Sequence, residues 1–271
     1  MKPLIPLFIF SLLSFFTSSQ DLIFRGSRSI AIGNASVSLI DEWSFFSNPG
    51  ATAFLDKPSF GLNYSNQYTL SEFQNQDATI LFPLKKGVFS SGISYSGFNA
   101  FSNLKAGLGY AILLNESFSV GVQFNYHQKR FLQLSNLKEN LLTTEVGFLY
   151  KVMPNWNLGV NVNDFLGFFI NDKQRSTSVR LGSDIIFSDK VHLLVEGYQS
   201  VFYSFQLRTG LEYEPIDYLF FRVGYKSNPT EMTFGFGYRL PNIKLDIASA
   251  FHPSLGWSPS ISFNYVFGEK K

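Results

Sequence analysis

The chain has 271 residues, 22 Lys plus Arg against 20 Asp plus Glu, and only 15% charged residues, where an ordinary soluble protein has roughly 25%. Aromatic residues reach 17%, with 31 Phe and 13 Tyr, and Cys is absent. Near neutrality removes the argument for a nucleic-acid partner, and the lack of Cys excludes a disulfide framework and a thiol nucleophile.

In chain order, residues 1–19 read as a secretory signal peptide. Lys2 supplies the positive start, Leu4 to Phe16 the apolar region, and Thr17-Ser18-Ser19 the small residues before a cut that leaves Gln20 first. A membrane anchor fits less well, because the apolar region is short and carries Pro3 and Pro6 near its start. No apolar run of about 18 residues occurs beyond it, so no membrane-spanning helix is expected.

Residues 20–58 come next, and their centre, GSRSIAIGNASVSLIDEWSFFSNPGATAFL, is rich in small residues. Its apolar positions fall irregularly, Gly33 interrupts it, and Asn48-Pro49-Gly50 closes it in a turn. It is suited to filling a space and not to spanning one, so it is expected to plug the mouth of a barrel formed by the rest of the chain.

From residue 59 to 271 the dominant signal has period two, which sends successive side chains to opposite faces of a sheet. Trp257, Ile261, Phe263, Tyr265 and Phe267 alternate with Ser258, Ser260, Ser262 and Asn264. The same split of greasy and small polar residues recurs around Phe89–Ser96, Phe118–His127 and Thr233–Arg239. Marking every such segment predicts about fourteen strands, most near the length a tilted membrane strand needs. They cover Phe60–Gln67, Asp77–Phe82, Val88–Ser96, Leu104–Leu114, Ser117–Gln128, Leu141–Lys151, Trp156–Asn163, Ser176–Phe187, Val191–Ser200, Phe205–Tyr213, Leu219–Lys226, Met232–Arg239, Ile243–Phe251 and Gly256–Phe267. Alternate connections are short, such as Asn115-Glu116 and Pro241-Asn242, while Asn66–Gln76, Lys129–Asn140 and Asp164–Arg175 are longer. The expected fold is therefore all-β: a 14-stranded antiparallel transmembrane barrel of the bacterial outer membrane, with a periplasmic N-terminal plug and both termini periplasmic.

The polar face carries Glu145, Arg180, Asp184, Glu196, Arg208, Glu212, Arg222 and Lys226, together with Lys105, His192, Arg239, Lys244 and Asp246. On the lipid face each Arg or Lys would cost about 2–4 kcal/mol at mid-bilayer. Inside a barrel they can pair across strands. This is either a crosslinked lumen that holds wall and plug together or a path that selects a ligand.

The run Gly26 to Ala35, then Asp41 and Phe46-Ser47-Asn48-Pro49-Gly50-Ala51, resembles the N-terminal segment of the PorV/PorQ group of FadL-like outer-membrane proteins. The resemblance carries the pattern Gly-x-Arg, an apolar residue before Gly, an acid near the middle and an Asn-Pro turn; Ile32 and Gly50 depart mildly from it. It implies plug-to-wall contacts by Arg28, Asp41 and Asn48, with Gly33, Pro49 and Gly50 shaping the path. FadL-type members move hydrophobic molecules by a lateral route made by the N-terminal segment and a kinked wall strand. PorV and PorQ relatives serve type IX secretion.

No zinc helix, nucleophile elbow or phosphate loop is present, so neither enzymatic activity nor a cofactor or metal is expected. A Ser/His hydrolase built on His127 is the weaker enzymatic reading. Trp156 and Trp257 are expected to anchor at the membrane faces, and Asn264-Tyr265-Val266-Phe267 resembles the aromatic C-terminal strand of bacterial barrels. The short outward loops and charge-filled lumen favour an accessory subunit of a protein-export or outer-membrane assembly complex, touching lipids and other outer-membrane or periplasmic proteins. The alternative is a FadL-like channel for hydrophobic small molecules, which Phe165, Leu166, Phe168, Phe169 and Ile170 could serve as a greasy collecting loop.

Overall fold

A computed structural model describes residues 26–268 except 99, 132–136, 170–175 and 202. The predicted signal peptide, and Ile170 of the apolar loop, lie outside the described residues. The strands are β1 Ser59–Asn66, β2 Gln74–Leu84, β3 Gly87–Gly97, β4 Phe101–Leu113, β5 Phe118–Phe131, β6 Leu137–Met153 and β7 Trp156–Asn163. They continue as β8 Ser178–Ser188, β9 Val191–Ser200, β10 Gln206–Ile216, β11 Leu219–Lys226, β12 Glu231–Arg239, β13 Ile243–His252 and β14 Gly256–Val266. Each pairs antiparallel with its chain neighbours, and β1 pairs with β14 from Ser59↔Val266 to Ser65↔Ser260, which closes a barrel of fourteen strands. Closure leaves no unpaired edge, the condition for a sheet to stand in lipid.

Period two decides which side each residue takes. In β5, Ser119, Gly121, Gln123 and Asn125 are buried towards the lumen, while Val122, Phe124 and Tyr126 are exposed outward. In a soluble protein this would be inside out; in a bilayer the exposed Leu, Phe and Tyr meet acyl chains. Trp156 and Trp257 both face outward at opposite ends, Trp156 donating from Nε1 to Ser183 Oγ at 2.7 Å. One end of the barrel carries tight turns (85–86, 154–155, 189–190, 217–218), and the other carries the longer connections 67–73 and 164–177.

Several strand edges differ from the sequence expectation: β4 begins at Phe101 and not Leu104, β5 ends at Phe131 and not Gln128, and β10 ends at Ile216 and not Tyr213. β2 begins at Gln74 and not Asp77, and β6 reaches back to Leu137. The starting residues of β2 are polar on both faces and so mimic a loop, yet Asn75 and Asp77 are buried lumen residues. β3 pairs without a register shift from Gly87 to Gly97, and the register shifts between neighbouring strands fall in β6/β7, β8/β9 and β10/β11 beside turns.

The segment from 26 to 54 lies within the barrel. It begins as a short helix α1, Gly26–Ala31, against β12 to β14 and β1. A second short helix α2, Ser44–Ser47, and a 3-10 turn over Pro49–Phe54 carry it past β4 to β6. Leu55 to Pro58 then lead into β1 at the turn end.

Candidate functional site

A glycine in mid-strand weakens a sheet, so glycines facing each other across strands need a reason. Four such pairs point into this lumen: Gly92↔Gly107, Gly121↔Gly147, Gly159↔Gly182 and Gly210↔Gly224. The reason is contact with the N-terminal segment. A Cβ on Gly121 would overlap Pro49 and Gly50, on Gly147 the Asn48 side chain, on Gly159 the Val37 carbonyl, and on Gly210 and Gly224 the Ile32–Gly33 backbone. Together the glycines form a belt against which the segment lies directly, with its backbone at Gly121, Gly159, Gly210 and Gly224 and with the Phe45 ring at Gly92.

Polar contacts fix the segment's direction. Asn48 donates from Nδ2 to the Val37 carbonyl at 2.7 Å and the Phe148 carbonyl at 2.9 Å, and its Oδ1 accepts from Gly50 N at 3.0 Å. Gly33 N donates to Thr233 Oγ1, which donates to the Ala31 carbonyl at 2.8 Å. Glu196 accepts from Ser36 N and Val37 N, both at 2.9 Å, while Arg180 and Arg208 hold its two oxygens at 2.7 and 3.0 Å. Arg180 also donates to the Ser47 and Asn34 carbonyls, so one buried guanidinium ties three stretches of chain.

The predicted charges thus separate into groups. Arg28 pairs with Glu212 at 2.9 Å and with Asp41 at 3.2 Å; Glu212 also accepts from Arg222, which reaches Asp246 at 2.6 Å. Lys105 pairs with Glu145 at 2.8 Å, Lys226 with Glu231 at 2.8 Å, and Asp184 lies 3.7 Å from His192. Among the described residues the hydrogen bonds of Asp41 stay within the segment, in place of the expected wall contact. Asp41 pairs with Arg28 and accepts from Trp43 N at 2.9 Å, folding the segment on itself, and the wall contact passes to its neighbour Glu42, which takes Lys244 at 2.7 Å.

The sequence reading missed the aromatic cluster of the segment. Phe45 and Phe46 meet edge to face with centroids 4.9 Å apart, and Trp43 stacks on Phe46 at 6.2 Å. The signal that could have found their seat is the recurrence of one inward glycine near the middle of most strands.

Outside the wall at this level is an apolar recess of about 680 Å³ on the lipid face of β1 to β6. Ala78, Ser91 and Ala106 lower its floor among Leu62, Ile80, Ile93, Leu108 and Phe124. Gly61, Gly92 and Gly107 reach it with backbone although their Cα positions face the lumen. A Cβ on Gly92 would strike the Phe45 ring, and one on Gly61 would lie 3.0 Å from Trp43. A single layer of peptide therefore separates the lipid-side recess from the aromatic cluster inside.

His127 is no base of a triad: Nε2 lies 3.0 Å from Thr143 Oγ1, and among the described residues no carboxylate orients it. Phe165, Leu166 and Phe169 are exposed at the loop end, where Leu166 N donates to Thr144 Oγ1 on the outer face of β6.

No protein-family profile matches the chain, and no curated protein matches it. Solved structures do. The Pseudomonas putida toluene transporter TodX is 12% identical over 92% of this chain and 100% of its own, with a TM-score of 0.72. The CymD monoaromatic hydrocarbon channel is 13% identical over 92% and 99%, at 0.70. A Pseudomonas aeruginosa FadL homologue is 13% identical over 90% and 98%, at 0.66. The fold is thus the FadL-like outer-membrane barrel. The expectation of an export or assembly subunit is corrected here, because the barrels that share this architecture are named as transport channels for hydrophobic compounds. Short loops and a charge-filled lumen misled that reading: the charges hold an internal segment and need no partner protein to explain them.

Proposed function

We propose that this protein is a non-enzymatic outer-membrane channel for the uptake of hydrophobic small molecules. The observation that carries the reading is the apolar recess, where the wall thins to backbone in front of Phe45 and Phe46. A hydrophobic passenger gains nothing from a watery exit and about 25 cal/mol for every Å² it keeps out of water. Leaving sideways into lipid is the favourable route, and the recess is an apolar place where one layer of peptide separates lumen from lipid. The FadL-like fold and the names of its structural neighbours support this assignment. By the Gly26–Ala51 motif the chain sits in the PorV/PorQ branch of that group, a placement of descent and not of partners. The N-terminal segment acts as the plug, and both termini and the tight turns are periplasmic.

The test is uptake of a radiolabelled apolar tracer, toluene or dodecane, by cells whose outer membrane offers no other route. Expression should raise the initial rate, and Ala106→Trp, which fills the recess from the lipid side, should return it to background with the barrel intact. Equal rates with and without the protein would overturn the assignment.

A further inference from the structure

The apolar recess does not end in apolar residues. Its rim at the loop end is Phe124, Tyr126 and Leu142, and directly beyond them the lipid face of β5 and β6 turns polar. Tyr126 donates from its hydroxyl to Asn140 Oδ1 at 2.8 Å, and Gln128 Nε2 donates to the Tyr126 hydroxyl at 2.9 Å and to Asn140 Oδ1 at 3.1 Å. Arg130 Nε donates to Gln128 Oε1 at 2.6 Å. This ladder uses one guanidinium nitrogen, and among the described residues the terminal two have no hydrogen-bond acceptor. Lys138 stands directly opposite Arg130 in the register, on the same face, and both are exposed.

Like charges directly opposite on one sheet face destabilise the pairing. Among the described residues neither cation has a carboxylate within salt-bridge distance. Glu139, the nearest acid in sequence, alternates to the other face opposite Lys129. Among the described residues the pair therefore has an unmet need for a counter-charge. From Tyr126 to Arg130 is four residues of strand, or about 13 Å. On a strand tilted by about 40° that is a rise of roughly 10 Å, which places two adjacent cations on long side chains above an apolar trough.

We infer that Arg130 and Lys138, with the recess below them, bind a phosphate-bearing acyl lipid from the membrane leaflet at the loop end. One chain lies in the recess and the phosphate spans the two cations. A phosphate monoester carries about −1.5 to −2 charges, which two adjacent cations neutralise, whereas a carboxylate neutralises only one of them. Arginine adds a planar fork that takes phosphate oxygens in pairs. The inference does not need uptake: lipid retention is read on the protein itself, so it and the channel assignment can fail separately.

The experiment is native mass spectrometry of the full-length protein in detergent. The probes are dipalmitoyl phosphatidic acid, dipalmitoylglycerol, palmitate and inorganic phosphate. The wild type should retain phosphatidic acid at least about tenfold better than dipalmitoylglycerol, equivalent to about 1.4 kcal/mol. The double variant R130Q/K138Q, whose exposed sites leave the barrel folded by circular dichroism, should lose that preference. Ala106→Leu, which shallows the recess without touching the cations, should weaken phosphatidic acid while leaving the headgroup preference in place. Equal retention of the two diacyl lipids would overturn the inference. So would a preference that survives R130Q/K138Q, palmitate held as well as phosphatidic acid, or inorganic phosphate alone displacing the lipid.

Discussion

Gly33 shows what a single residue decides here. Its φ of +66° lies in the left-handed region, and a Cβ there would also sit 2.7 Å from the Tyr225 carbonyl oxygen and 2.8 Å from that of Thr209. Gly33→Ala therefore combines about 1–2 kcal/mol of backbone penalty with about 1–3 kcal/mol of overpacking. The expected outcome is a lower temperature for the loss of heat-modifiable migration on gels, with strand content unchanged by circular dichroism. Glu196 is the converse case, a residue whose removal leaves others stranded. Glu196→Gln would leave Arg180 and Arg208 buried beside a neutral amide, and breaking a buried pair in this way costs about 3–5 kcal/mol. Denaturant unfolding in detergent should show that loss, and Lys226→Gln, at a less deeply buried pair with Glu231, should show far less.

At the scale of elements, the N-terminal segment has too little regular structure to hold itself. Its helices are six and four residues long, below the length at which a helix is stable alone. It persists through wall contacts, and Asn48 makes a dense set of bonds that link the segment to itself and to β6. Asn48→Ala removes two donated bonds and the cap on Gly50 N, each worth about 1 kcal/mol, and leaves buried carbonyls unpaired. Amide exchange in residues 44–54 should then accelerate while exchange in the strands does not. A uniform rise across the barrel would show instead that the segment and wall unfold together.

At the scale of the whole molecule, the barrel encloses a segment whose side chains and backbone meet the wall on many of its strands. A molecule packed in this way should pass few ions. In planar bilayers the wild type is expected to be nearly silent, and removal of residues 26–54 should produce steps of stable conductance. Large steady conductance in the intact protein would contradict an occupied lumen. The glycine belt explains why the wall tolerates this arrangement: its own cross-strand packing is given up where the segment supplies the contact instead.

The strands themselves can be read from residue order, because membrane and lumen impose opposite chemistry on alternate positions. This is why Trp156–Asn163, Val191–Ser200 and Leu219–Lys226 coincide with the observed strands end for end. It is also why β2, polar on both faces at its start, reads shorter in the sequence than it is. Periodicity places a charge on the inner face but does not say which strand-distant partner it meets, so Arg28 reaching Glu212 across 184 positions lies beyond it. The thin wall before Phe45 and the cation pair above the recess are likewise products of register and curvature. Local sequence determines which way a side chain points; closing the ring determines what it faces.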